Sequence, residues 1–203
     1  MRISVDAMGG DYAPKEIVRG ALDAATTING LEKLFLVGDE QLIQIELDKS
    51  SKEVPDCIEI ISATEVVEMG EAPASAIRKK KDSSISRAID LVKDGKADAI
   101  FSAGNTGAAV AAATLKLRTL EGVNRPAIAT VMPTSKDPFV LLDAGANTDS
   151  TPEMLQQFAV MGKIYCKEIL GVQSPRIGLL SIGEEEAKGN ETTKKSFNLL
   201  NNL

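Results

Sequence analysis

A strand, a glycine-rich turn and a helix follow one another between residues 97 and 117, and this succession constrains the fold most. Residues 97–101 are typical of a buried strand, and residues 109–117 are almost all strong helix formers. The turn between them, 102–108, reads SAGNTGA. In an open α/β sheet, ligands bind just outside the carboxyl ends of the strands, and the free N–H groups at a helix start favour an anion. The sequence therefore predicts an α/β protein with an anion site at this turn.

The first third of the chain alternates between strands and helices. Apolar runs predict strands at 3–6, 34–39 and 57–61, and amphipathic or helix-forming segments predict helices at 14–28 and 41–47. This alternation is typical of a mostly parallel sheet with helices on both faces. We predict such an αβα fold, with residues 1–203 in a single domain.

The remainder of the chain adds further predicted elements. Helices are expected at 74–81, 84–92, 151–170 and from 192 to the end, and strands at 128–132, 139–143 and 176–181. Two prolines lie in the connection between 128–132 and 139–143, which favours a hairpin-like antiparallel pair. The last helix has no cap or polar tail, so we expect the chain to be the amino-terminal part of a longer protein.

Composition excludes several classes of chemistry. The chain has no histidine, so neither a Ser-His nucleophile nor a histidine-ligated metal is available. Cys57 and Cys166 lie far apart without metal-ligand spacing, which is typical of reduced thiols in a cytoplasmic protein. The net charge of −6 argues against nucleic-acid binding. No apolar run is long enough to span a membrane, and we expect no metal and no cofactor.

Polar residues follow four of the predicted strands. They lie in the turns 6–11, 102–107, 143–147 and 183–190. Each turn alone is common in proteins without a ligand, and the basic run 78–81 alone is usually a solvated face. Because the carboxyl ends of parallel strands share one edge of a sheet, the four turns together favour a common cleft.

The available side chains suit a transfer reaction that uses phosphate. Inorganic phosphate is largely a dianion near neutral pH, so it needs no strong base to attack a carbonyl. It needs cations and N–H donors to hold it, and donors for the oxyanion that develops. A lysine can serve as clamp or as proton donor.

Several blocks then give a specific resemblance. They are MRISVDAMGGDYAP at 1–14, RKKKDSS at 78–84, SAGNTGA at 102–108, GVNRPA at 122–127, LDAGANTD at 142–149 and PRIGLLSIGEEEAKGNETT at 175–193. In this order, the chain resembles the bacterial phosphate acyltransferase family (PlsX) over nearly its whole length. The resemblance implies a fold similar to that of phosphotransacetylases and of isocitrate and isopropylmalate dehydrogenases.

The resemblance also implies a reaction and partners. Family members transfer a fatty acyl group from acyl-[acyl-carrier-protein] to inorganic phosphate, and the acyl phosphate passes to a membrane glycerol-3-phosphate acyltransferase of the PlsY type for phospholipid synthesis. They are homodimers in the cytoplasm, attached peripherally to the membrane. The alternatives are a phosphotransacetylase-like enzyme that uses acyl-CoA and a non-catalytic phosphate- or acyl-binding protein. A nicotinamide-dependent dehydrogenase is disfavoured, because the sequence has no acidic metal cluster and no GxGxxG.

The expected site residues follow from the turns and from the family blocks. Lys188, Asn105 and Asn147 are the expected catalytic residues, with Lys188 matching the lysine of the family's GNE block. Eight further residues are expected to bind substrate or phosphate: Asp6, Gly9, Gly10, Asp11, Gly104, Thr106, Gly107 and Asn190. The basic residues Arg78, Lys79, Lys80 and Lys81 are expected to dock the acidic carrier protein or to share in phosphate binding. Tyr12 and Met154 stand where family members usually have histidine, so neither histidine can be essential in an active protein.

Overall fold

The computed structural model describes residues 1–145, 147, 149–183 and 188–203. The chain groups into two compact units, Met1–Arg118 and Thr119–Leu203, which are described separately. The single domain expected from the sequence stays a prediction. Parts of two predicted turns, Ala146 and residues 184–187, lie outside the described residues.

The first unit is built on a parallel four-stranded sheet. Its strands are β1 (Arg2–Asp6), β2 (Lys33–Gly38), β3 (Ile58–Ser62) and β4 (Ala99–Phe101), in the order β3-β2-β1-β4. The helices are α1 (Lys15–Thr27), α2 (Glu40–Asp48), α3 (Pro73–Lys79), α4 (Ser84–Lys93) and α5 (Thr106–Lys116). The parallel α/β architecture predicted from the sequence is therefore confirmed.

Strand β2 shows why helices cover both faces of this sheet. Its side chains alternate between two cores, with Leu34 and Leu36 packed in the core that contains residues of α1 and α2. Phe35 and Val37 pack in a core that contains Ala88 and other residues of α4. A strand that buries both alternating sets of side chains reads as a continuous apolar run, as LFLV does here.

The second unit contains an antiparallel pair and two helices. Strands β5 (Ala129–Met132) and β6 (Phe139–Leu142) pair antiparallel, as the two prolines between them led us to expect. Helix α6 (Pro152–Leu170) begins at the capping residue Thr151 and ends at Gly171, which has a left-handed backbone. Helix α7 (Glu191–Leu200) follows.

The strand predicted at 176–181 is wrong. These residues form no strand, because a strand needs a neighbouring chain for its N–H and C=O groups and no described residue pairs with them. Apolar side chains at and just after the end of this segment face solvent, with Leu180 exposed to 85% and Ile182 to 84%. An apolar run shows only the propensity to form a strand. The backbone partner does not appear in the run itself.

No helix in the described part of the chain is both long and apolar enough to cross a membrane. The two cysteines are free thiols, each half-buried.

Candidate functional site

The turns that follow β1 and β4 meet at one edge of the sheet. The two strands are parallel neighbours in which Val5 pairs with Phe101, so their carboxyl ends leave the sheet side by side. The contact is close, since a Cβ added to Gly104 would lie 3.0 Å from the Cα atom of Gly9. Two of the four turns predicted to share a cleft therefore lie together within the first unit.

A buried carboxylate joins these two turns. Asp6 is 2% exposed, and one of its oxygens accepts a hydrogen bond from the Ser102 hydroxyl at 2.8 Å. The other oxygen accepts from the Met8 N–H at 3.3 Å. The Ser102 oxygen in turn accepts from the Gly104 N–H at 3.2 Å. Asp6, Ser102 and Gly104 thus form a continuous chain of hydrogen bonds, which we call the Asp6–Ser102 link.

The first pair of glycines permits this close packing. A Cβ on Gly9 would lie 2.5 Å from an oxygen of Asp6 and 3.0 Å from the Gly104 nitrogen. Gly10 has φ of +111°, and a Cβ there would lie 3.1 Å from the Ala103 carbonyl oxygen. Both positions require glycine so that one turn can approach the other. Next to them, Asp11 and Tyr12 are exposed.

Both the oxygen and the nitrogen of the Asn105 side-chain amide form hydrogen bonds with protein atoms. Its oxygen caps α5 by accepting from the Ala108 N–H at 3.0 Å. Its nitrogen lies 3.1 to 3.2 Å from three carbonyl oxygens of the preceding loop, those of Glu68, Met69 and Glu71. The side chain is 8% exposed. The structure therefore places Asn105 as a link between the start of α5 and the loop at residues 65–72.

The start of α5 leaves two backbone donors open. No described residue accepts a hydrogen bond from the N–H groups of Thr106 or Gly107, and both residues are exposed. These donors lie at the positive end of the helix, where an anion is stabilised. Gly107 also has a packing role, since a Cβ there would lie 2.6 Å from the Cγ atom of Pro73.

The four basic residues at 78–81 differ in their exposure and in their ion pairs. Lys80 is half-buried, where its ammonium donates to the Val66 carbonyl at 2.7 Å and forms an ion pair with Glu71. This contact, with the Glu68 N–H, holds the pKa of the Glu71 carboxyl below its usual range. Arg78, Lys79 and Lys81 are exposed and form no ion pair within the described residues. Three of the four cations therefore remain open to a partner.

In the second unit, a carboxylate organises the turn that follows β6. Asp143 has φ of +60°, a left-handed backbone that aspartate tolerates better than most residues. Its carboxylate accepts from the Asn147 amide at 3.1 Å and from the Ser150 hydroxyl at 3.2 Å. The Asn147 nitrogen also donates to the Pro126 carbonyl at 3.1 Å. The side-chain N–H donors of Asn147, which we expected to meet a ligand, are therefore bonded to protein atoms in this structure.

Lys188 and Asn190 lie immediately before α7. Lys188 is exposed, and none of the described residues forms an ion pair with it. Asn190 caps α7 through its side-chain oxygen, which accepts from the Thr193 N–H at 2.9 Å. Its side-chain nitrogen donates to no described residue. Within the described ranges, the expected catalytic lysine and one amide donor therefore have no protein partner.

Sequence reasoning missed the residues that hold these turns. Ser102, Ser150 and the carbonyls of loop 65–72 were not singled out. A signal for Ser102 exists in its position, since it follows β4 directly while Asp6 ends the adjacent β1. The loop carbonyls leave no such signal, because every residue has one.

Solved structures of the phosphotransacetylase class share this fold. EutD phosphotransacetylase from Staphylococcus aureus superposes with a TM-score of 0.70 and 19% identity, covering 100% of this chain and 64% of that one. A branched-chain phosphotransacylase from Enterococcus faecalis V583 gives a TM-score of 0.55 and 18% identity, covering 91% and 57%. These likenesses define the class of fold alone.

The family follows from the sequence comparisons. The family model described as "Fatty acid synthesis protein" matches residues 1–203. Relatives called "Phosphate acyltransferase" are 52% identical in Halothermothrix orenii and 54% identical in Pelotomaculum thermopropionicum, each over 200 residues and 98% of this chain. The chain belongs to this fatty acid synthesis protein family, which confirms the resemblance seen in the sequence blocks. It spans 59% and 57% of the length of those two relatives.

Proposed function

We propose that this protein transfers a fatty acyl group from a thioester-linked acyl carrier protein to inorganic phosphate, giving acyl phosphate. The observation that carries the proposal is the identity of 52 to 54% with proteins called phosphate acyltransferase over 98% of the chain. The absence of histidine agrees with it, since a phosphate dianion needs no imidazole base to act as nucleophile.

The start of α5 is the proposed phosphate site. The open N–H groups of Thr106 and Gly107 hold two phosphate oxygens, and the exposed Thr106 hydroxyl provides a third donor. Five residues shape this turn, because their polar atoms or close contacts are directed at other protein atoms. They are Asp6, Gly9, Gly10, Gly104 and Asn105. Asp11 remains an exposed wall residue.

The transfer itself needs only phosphate and the thioester. A phosphate oxygen attacks the carbonyl carbon and forms the new C–O bond, the C–S bond breaks, and the thiolate leaves and takes up a proton. Lys188 is proposed to neutralise charge on phosphate or on the carbonyl oxygen, in agreement with its exposed, unpaired ammonium among the described residues. Asn190 and Asn147 are proposed as further donors; Asn147 would have to exchange a protein partner for the ligand.

The exposed cations Arg78, Lys79 and Lys81 are proposed to dock an acidic carrier protein. Contacts between exposed charges weaken as salt screens them, so the KM for the acyl carrier should rise with ionic strength while the KM for phosphate changes less. The proposal extends to a homodimer in the cytoplasm, attached peripherally to a membrane, that passes acyl phosphate to a PlsY-type glycerol-3-phosphate acyltransferase.

The test is direct trapping of the product. The full-length protein is incubated with palmitoyl-carrier protein and phosphate, hydroxylamine is added, and the acyl hydroxamate is measured by mass spectrometry. Hydroxamate that depends on both enzyme and phosphate is expected. Product with acyl-CoA but none with the carrier substrate would assign a phosphotransacetylase-like donor instead. No product with either donor, from folded protein, would leave a binding protein without turnover.

A further inference from the structure

We propose that Ser102 is a positioning residue for phosphate, and that its hydroxyl fixes the α5 turn to the buried Asp6 carboxylate. This inference rests on the proposed function, because it assigns a role in holding the phosphate-binding turn. Ser102 lies between the last residue of β4 and the two open donors of α5, at Thr106 and Gly107.

The Ser102 hydroxyl both donates and accepts a hydrogen bond. It donates to Asp6 at 2.8 Å and accepts from the Gly104 N–H at 3.2 Å, so this one oxygen joins both partners. Asp6 is held at the end of β1, between paired strands, and is 2% exposed. The rigid sheet thereby fixes the Gly104 amide, and Gly104 lies two residues before the first open donor.

Loss of the hydroxyl would affect the buried Asp6 carboxylate and the half-buried Gly104 N–H at once. Among the described residues, the Asp6 carboxylate would keep only the 3.3 Å contact from the Met8 N–H, and the Gly104 N–H would lose its acceptor. A buried carboxylate that loses a hydrogen bond is destabilised, so the turn would shift or admit water to restore the missing bonds. Either change moves the α5 donors from the positions where they hold phosphate.

The same geometry distinguishes a positioning role from a nucleophilic one. A serine beside a carboxylate could in principle be acylated, and then its removal would abolish turnover. In this structure the Ser102 hydroxyl donates to Asp6 and accepts from the Gly104 N–H, so both of its hydrogen bonds serve to hold the turn. A positioning residue affects binding of phosphate in the ground state and in the transition state alike, which raises KM without lowering kcat.

The experiment compares three variants of the full-length protein: Ser102→Ala, Ser102→Thr and the control Thr114→Ala. Thr114 lies in α5, and its hydroxyl donates to the Val110 carbonyl of that helix. For Ser102→Ala we expect the KM for phosphate to rise about tenfold, with kcat and the KM for the acyl donor nearly unchanged. Ser102→Thr keeps the hydroxyl and should restore most of the affinity, and Thr114→Ala should match the wild type.

Two readouts do not depend on turnover. Titration with inorganic phosphate, followed by the amide NMR signals of residues 104–107, should give about tenfold weaker binding in Ser102→Ala. Hydrogen exchange of the Gly104 amide should become faster in that variant and stay slow in Ser102→Thr. If wild-type protein makes no acyl phosphate, the proposed function fails while these two measurements still test the positioning role.

Three results would overturn the inference. A large fall in kcat with an unchanged KM for phosphate, or an acyl group found on Ser102, would make it a catalytic nucleophile. Phosphate affinity and Gly104 exchange equal to wild type in Ser102→Ala would remove any positioning role. Failure of Ser102→Thr to restore phosphate affinity, in protein that is folded, would show that the hydroxyl is not what matters.

Discussion

At the residue scale, the polar side chains of the first unit's turns act mainly on the protein itself. Asp6 holds Ser102, and Asn105 holds a loop and a helix start, so neither directs a free polar group outward. At the start of α5, the groups that bond to no described residue are two backbone N–H donors and the Thr106 hydroxyl. Residue types in a turn therefore indicate a site, whereas the partners of each atom decide which residues can touch a ligand.

Gly107 provides a test of packing against α3. In Gly107→Ala, the new methyl group would meet the Pro73 ring at 2.6 Å, and we expect the free energy of unfolding to fall by about 1 to 3 kcal/mol. The matched control is Gly20→Ala in α1, where a Cβ meets nothing within 4 Å. That variant should be stabilised by about 0.5 to 1 kcal/mol, because alanine favours a helix interior. Urea unfolding measures both, and equal stability of the two variants would contradict the Pro73 contact.

Lys188 provides a test of charge stabilisation. In Lys188→Ala we expect kcat/KM for acyl phosphate formation to fall about 100-fold or more, the usual loss for a donor that meets charge in the transition state. The control is Lys167→Ala, which removes an exposed cation from α6. Steady-state kinetics with phosphate and acyl carrier measure both variants. Near-normal turnover of Lys188→Ala would exclude this lysine from the reaction.

At the element scale, alternating apolar runs located the elements of the parallel sheet well. Strands β1 to β4 and the helices between them lie where the sequence places them, because each buries a face that the run itself defines. The strand predicted at 176–181 is wrong because an apolar run gives no information about which strand would pair with it. The loop at 65–72 could not be placed from sequence either, since its contacts with Asn105 use backbone carbonyls.

The junction between β3 and α4 gives an acid-stability prediction. Asp82 accepts from the Thr64 hydroxyl and N–H and from Arg87, and these contacts hold the pKa of its carboxyl below the usual range. A lowered pKa in the folded state stabilises the protein above about pH 4, and this stability is lost as the pH falls through the folded-state value. Asp82→Asn should therefore lower stability at pH 7 by about 1 to 2 kcal/mol.

The difference between wild type and Asp82→Asn should shrink as the pH is lowered below about 4, because protonation removes the same charge. Urea midpoints at pH 7 and pH 3 measure this change. The control Asp94→Asn lies at the exposed end of α4 and should follow wild type at both values. A difference that stays constant between pH 7 and pH 3 would contradict the role of the Asp82 charge.

At the scale of the whole molecule, the sequence predicts the family and the fold class better than it predicts the roles of the site residues in the second unit. The family and the α/β class follow from blocks and periodicity spread along the chain, and both are confirmed. The convergence of turns could be anticipated within the first unit, because β1 and β4 are parallel neighbours. The roles of Lys188, Asn147 and Asn190 stay predictions, since they belong to the second unit and no ligand contact tests them.

The central claim is that a phosphate oxygen attacks the acyl carbonyl carbon, so that the new bond forms at carbon and none forms at phosphorus. The most direct test supplies the full-length protein with palmitoyl-carrier protein and phosphate labelled with ¹⁸O at all four oxygens, and measures the mass of the intact acyl phosphate. Attack by phosphate retains all four labelled oxygens, including the one that bridges carbon and phosphorus. An acyl phosphate with an unlabelled bridging oxygen would contradict the account, since a fatty-acid carboxylate would then have attacked phosphorus and displaced one labelled oxygen.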